Sequence, residues 1–153
     1  MKTLTFTRLW LAVLLSISLV GCATTGMSNA ERTLAYDQFI VSEKLEELNQ
    51  ITAFRFDSWS SLGQEHLIIS TSFNRPYLIS LRNSCFDLNT ANVIGINNTG
   101  STLHAKFDSI TVPKSIGQKC FIKSIYKLTK EQKDALSKIG NEKAELKEHK
   151  NES

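Results

Sequence analysis

The chain has 153 residues, 41% of them hydrophobic and 22% charged, with two prolines, seven glycines and three cysteines. That length fits one domain, and the composition excludes a collagen, a coiled coil and a wholly disordered polymer. Eighteen basic against fifteen acidic side chains give a formal charge of +3, too small to indicate a nucleic-acid partner.

Lys2 and Arg8 open the chain, no acid precedes Glu31, and Leu9 to Val20 is a 12-residue apolar run. A membrane-spanning helix needs about 20 apolar residues, so this run has the length of a secretory signal's hydrophobic region instead. Leu19-Val20-Gly21-Cys22 follows directly. It resembles the lipobox of bacterial lipoproteins, which implies cleavage between Gly21 and Cys22 and acylation of Cys22. Two or more acyl chains, at about 0.8 kcal/mol per buried CH₂, hold a protein stably at a bilayer. Ala23, where enteric lipoproteins retained at the inner membrane commonly carry Asp, implies an outer-membrane destination. Loss of residues 1–21 would leave 132 residues with 16 basic and 15 acidic side chains, so no polybasic stretch remains.

Residues 22–32 read as a lipidated tether, small and polar. Between Glu31 and Leu48, the residues Leu34, Phe39, Ile40, Leu45 and Leu48 fall partly at helical spacing. From Ile51 the period moves towards two. Strands are expected over Ile51–Trp59, His66–Ser72, Tyr77–Arg82, Asn92–Asn97, Leu103–Val112 and Cys120–Leu128, separated by turn formers such as Asn74-Arg75-Pro76 and Asn97-Asn98-Thr99-Gly100. Alternation puts Phe54 and Phe56 on one face, with Arg55, Asp57 and Trp59 on the other. It also groups Leu103, Ala105 and Phe107, and groups Cys120, Ile122, Tyr126 and Leu128. After Leu128, Thr129-Lys130-Glu131-Gln132 has the form of a capping box, and Ala135, Leu136 and Ile139 make one short apolar stripe. Residues 130–153 hold six lysines and six acids, so 129–153 reads as a charged helix fraying into a disordered tail.

The expected fold is mainly β with short flanking helices: a small antiparallel roll, barrel or sandwich of about six strands spanning residues 33–128, with one disulfide. With Cys22 given to lipid, Cys85 and Cys120 remain to pair with each other in an oxidising compartment.

The chemistry-bearing residues form no recognised catalytic or metal motif, and no cofactor is implied. His66 and His104 read as exposed strand histidines. Arg55-Phe56-Asp57-Ser58 and Lys106-Phe107-Asp108-Ser109 are alike. Were their strands neighbours, Arg55, Asp57, Lys106 and Asp108 would form cross-strand ion pairs. Trp59, Arg75 and Tyr77 near turns are candidates for a sugar or peptide groove. The expected surface site therefore comprises Arg55, Asp57, Trp59, Arg75, Tyr77, His104, Lys106 and Asp108.

Residues 51–59 (ITAFRFDSW), 74–79 (NRPYLI) followed by Cys85, 91–95 (ANVIG), Phe107-Asp108-Ser109 and Cys120-Phe121-Ile122 together resemble an uncharacterised family of small Gram-negative lipoproteins. The resemblance spans about residues 33–128 and implies a compact, cysteine-bridged exported domain, with no activity attached. The membrane, through the N-terminal lipid, is the first expected partner, and an envelope protein or glycan the second. The leading expectation is a non-catalytic binding or envelope-maintenance role, lipid-anchored and facing the periplasm. The alternatives are a lysozyme-inhibitor-like ligand-binding barrel, or a glycan hydrolase working through Asp57, Asp108 or His104.

Overall fold

The computed structural model describes residues 27–52, 54–71, 75–113 and 118–139. The apolar run, the lipobox and residues 140–153 lie outside the described residues. The chain is mainly β, as expected. Helix α1 (Asn29–Ser42) is followed by β1 (Glu47–Leu48), β2 (Gln50–Ile51), β3 (Phe56–Ser61), β4 (His66–Thr71) and β5 (Pro76–Leu81). After a 3₁₀ turn (Leu88–Thr90) come β6 (Gly95–Asn97), β7 (Leu103–His104), β8 (Ser109–Thr111), β9 (Lys119–Lys127) and helix α2 (Lys130–Ile139).

The strands pair antiparallel in the order β3-β4-β5-β9-β8-β6, forming a curled half-barrel. Strand β9 is its spine. One edge pairs with β5, while the other takes β8 at residues 119–121 and β1 at residues 125–126. The short ladder β2–β7 extends that second side. Gly95 lets β6 lie close on β8, because a Cβ there would stand 2.6 Å from the Thr111 Oγ1.

Strands β4 and β5 are buried along their whole length. Their odd-numbered residues, among them Leu67, Ile69, Tyr77 and Ile79, enter the concave core with Ile110, Ile122 and Ile125. On the convex face, Ile68 and Leu78 pack with Tyr36 of α1 and Leu136 of α2. Two cores on one sheet explain why these strands read as continuous apolar runs.

Both helices begin at capping boxes. The Glu31 amide donates to the Ser28 Oγ at 3.2 Å, and the Ser28 amide to the Glu31 carboxylate at 2.8 Å. At α2 the Thr129 amide donates to the Gln132 Oε1 at 2.9 Å, and the Gln132 amide to the Thr129 Oγ1 at 3.2 Å. The first box starts α1 inside the segment expected as tether, and Tyr36, rather than Leu34, is its buried anchor. The second starts a helix that docks, since Leu136 is fully buried. Residues 130–139 are thus part of the domain.

Three face assignments change. Asp57 is the extra residue of a bulge between the Phe56–Thr71 and Ser58–Ser70 pairs, so Trp59 turns inward against the core while Asp57 stays exposed. Lys123 is a second bulge, between Ser80–Ser124 and Leu81–Ile122. It inverts the alternation, so Ile125 follows Cys120 and Ile122 into the concave core while Tyr126 and Leu128 join the convex one. The strand expected over 103–112 is cut in two by Lys106, whose φ of 72° is left-handed, and Phe107 is 79% exposed.

Cys85 and Cys120 form a buried disulfide, 35 residues apart in sequence. It closes over the 3₁₀ turn, β6, β7 and β8, whose few ladder bonds give that stretch little order of their own. Constraining a loop of this length is worth about 4 kcal/mol in the chain-entropy model. Replacing both cysteines with serine should therefore lower unfolding free energy by about 2–5 kcal/mol in denaturant titrations. Leu136→Ala should cost about 2–5 kcal/mol in the same measurement, and a loss under 0.5 kcal/mol would contradict the docking of α2.

Candidate functional site

The residues nominated from sequence do not converge. Strand β3, which carries Asp57, is separated from β8 by three strands, so Arg55 and Asp57 never oppose Lys106 and Asp108. Asp108 is buried and closes a turn: its carboxylate accepts the His104 amide at 2.6 Å, and its own amide donates to the His104 carbonyl. His104 is partly exposed, with its Nδ1 3.4 Å from the same carboxylate. Asp57 and Asp108 therefore do not form the carboxylate pair that glycan cleavage requires.

Two small clefts open at the β4–β5 turn end of the sheet. One, of about 200 Å³, is lined by Asp57, Ser58, Ser70, Pro76 and, from α2, Lys130, Lys133 and Asp134. The other, of about 280 Å³, is lined by Arg75, Tyr77, Lys127 and Leu128. Both fall below the usual range for small-molecule sites. Arg75 and Tyr77 do meet, but Tyr77 is largely buried, and Trp59, one strand beyond Ile69, packs against the core.

His66, expected at the surface, is buried under α1 at 2% exposure. Its Nε2 lies 3.0 Å from the Ser80 Oγ and 3.3 Å from the Asp37 carboxylate, and its ring is 5.5 Å from that of Tyr36. Ser, His and Asp are all present, but the wiring is not that of a nucleophile. A triad needs the carboxylate on one imidazole nitrogen and the hydroxyl on the other. Here both converge on Nε2, while Nδ1 is buried without a partner. An Nε2–H donating to Asp37 leaves no base for the Ser80 proton, and Ser80 is itself buried. Burial pushes the imidazole below its ordinary pKa, opposed by the carboxylates of Asp37 and Glu65 and aided by Lys123. Burial likewise pushes the Tyr36 phenol up.

Among the described residues, no helix lies over the convex face of β8 and the first half of β9. Phe121 points outward there, 43% exposed, between exposed Lys119 and Lys123. The exposed Lys106 and Phe107 border it, and the Arg82 guanidinium donates to the Lys106 carbonyl at 2.7 Å. None of Arg82, Lys119, Phe121 and Lys123 is singled out by a motif: three lie on β9 and Arg82 comes from a distant segment, just after β5. Alternation alone does place Phe121 opposite the buried Cys120 and Ile122.

The described residues thus build a bridged half-barrel with two helices on its convex face. The chain belongs to the family of unknown function DUF6491. The family match covers residues 5–144, well beyond the 33–128 expected from the shared motifs, and includes both helices. No curated protein and no solved structure matches the chain.

The DUF6491 domain should be acid-sensitive through His66. Its folded pKa lies below the unfolded value of about 6.5, so the unfolded chain takes up the proton first. Stability is complete above pH 7 and declines as pH falls below about 6.5 towards the lowered folded value. Thermal melts at pH 7.5 and 5.5 should show a drop in Tm that shrinks in His66→Leu. An equal drop in the variant would remove His66 as the cause.

Proposed function

We propose that this chain is a lipid-anchored domain of a Gram-negative cell envelope that works by binding rather than by catalysis. The carrying observation is Leu19-Val20-Gly21-Cys22 at the end of a 12-residue apolar run. The disulfide supports it twice. A Cys85–Cys120 bridge fits an oxidising compartment, and it leaves Cys22 as the cysteine without that engagement. The family match begins at residue 5, so it spans the apolar run and Cys22 together with the folded domain. On this reading, cleavage before Cys22 and its diacylation, with palmitate a typical chain, hold the domain at the membrane, and Ala23 directs it to the outer one.

Binding is favoured over catalysis by what the side chains do. Asp108 is spent on the His104 amide, and Ser80 and His66 are buried in a wiring that activates neither. The exposed aromatic and cationic side chains on β9 suit a surface that is held against something.

Cells expressing the chain and given labelled palmitate should yield a labelled protein that fractionates with membranes. Cys22→Ser should abolish the label and leave the precursor uncleaved. Label retained in that variant would overturn the anchor.

A further inference from the structure

We propose that the convex face of β9 docks flat on an anionic phospholipid surface, with Phe107 and Phe121 at the headgroup boundary and Arg82, Lys106, Lys119 and Lys123 around them. The partner class rests on the lipid-anchor reading above. The face itself rests on the fold.

Cys120 and Ile122 enter the concave core, so Phe121 and its neighbours Lys119 and Lys123 point to the convex side. On one edge of β9 the Arg82 amide donates to the Phe121 carbonyl at 3.0 Å. On the other edge the Lys106 amide donates to the Ile122 carbonyl at 2.9 Å. The bond from Arg82 to the Lys106 carbonyl therefore carries a guanidinium across the strand. Four cations and two exposed rings gather around a five-residue stretch of strand, 119–123. Carboxylates near this end of the sheet have other partners: Asp108 the His104 amide, Glu65 the Ser84 hydroxyl at 2.6 Å, Glu31 the cap of α1, and half-exposed Asp37 the His66 ring at 3.3 Å. Asp87 also has a partner of its own. Cations flanking apolar rings are the composition by which interfacial segments hold anionic bilayers.

The position of α1 selects a bilayer over an acidic protein. A Cβ on Gly63, in the β3–β4 turn, would lie 3.8 Å from Arg32 Cδ and 4.0 Å from Asn29 Oδ1, so α1 starts against that turn. The same turn receives amides from Leu81 and Cys85, at the Glu65 and Gln64 carbonyls, which puts it at the Arg82 end of the sheet. Six residues separate Cys22 from Asn29, a reach of at most about 25 Å. An acylated Cys22 would thus keep this end, and not the end with the two clefts, against the membrane.

The test uses residues 22–153 with Cys22→Ser, so that neither an acyl group nor the apolar run contributes, and vesicles of phosphatidylethanolamine with 30% phosphatidylglycerol. Partitioning should exceed that onto phosphatidylcholine vesicles and weaken with salt. Lys106→Gln, Lys119→Gln and Lys123→Gln together should reduce it about a hundredfold, about fivefold per charge. Arg82 is left in place to keep the turn intact, and an unchanged melting temperature checks the fold. Trp59, packed against the core, is the one native tryptophan of residues 22–153, so the fluorescence that Phe107→Trp adds should be quenched by brominated lipid. Equal partitioning of the lysine variant, an unquenched reporter, or tighter binding to soluble polyglutamate than to the vesicles would each overturn the docking face. Palmitate labelling of the wild-type chain reads the anchor separately, so a labelled protein with an unquenched reporter sinks only this inference.

Discussion

Everything in this domain is hung on β9. Its nine residues are paired along both edges, with β5 on one side and with β8 and β1 on the other. An antiparallel sheet usually grows outward strand by strand, but here the last strand of the chain inserts at the centre. Strands β3 to β5 form a meander that lacks an inner neighbour until β9 arrives. The short strands β6 to β8 are too brief to hold themselves and depend on it too. The disulfide sits where that dependence is greatest, tying Cys85 at the start of the irregular stretch to Cys120 at the start of β9. Because β9 pairs with residues far away in sequence, closure of the fold waits on long-range contacts, a topology that folds slowly.

Much of this is legible in the sequence. The β class, the strands at 66–71 and 119–127 and the capping box at Thr129 follow from local pattern, since alternation and capping chemistry are themselves local, while the bridge follows from the cysteine count once Cys22 is given to lipid. The box at Ser28 to Glu31 is equally readable but is masked by the small, polar look of the segment before it. What local pattern misses is tertiary. His66 is buried only because α1 lies over it, and nothing around His66 in sequence announces a helix 30 residues away. Lys106 adopts a left-handed backbone because Asp108 and Arg82 both bond its turn, and a lysine carries no signal for that. The pairing of Arg55 and Asp57 with Lys106 and Asp108 fails for the same reason: likeness of two segments says nothing about adjacency.

The same limit governs the functional residues. Of the eight nominated for a surface site, Arg55 stays exposed ahead of β3, and the others scatter to the core, a closed turn and two clefts at one end of the sheet. The face that does gather charge and aromatic surface is drawn from the bend after β5, the Lys106 turn and β9, three segments with no common motif. Net charge conceals it as well, since the domain is close to neutral overall. Charge that matters for docking is a property of one face, visible only once the strand register is known.

The Lys123 bulge has a consequence for how such a chain can change over evolutionary time. One residue of slack lets β9 give Cys120 and Ile122 to one core and Tyr126 and Leu128 to the other. Loss of that single codon would leave a regular ladder in which Ser80 still meets Ser124 and Leu81 still meets Ile122, so every side chain of the strand keeps its face. Were all nine residues kept and the bulge flattened, Ile125 would instead face the helices and Tyr126 the interior. Point changes at position 123 are cheap as well, because the side chain is exposed. Position 123 is therefore a place where the central strand can shorten by one residue without exchanging its two cores.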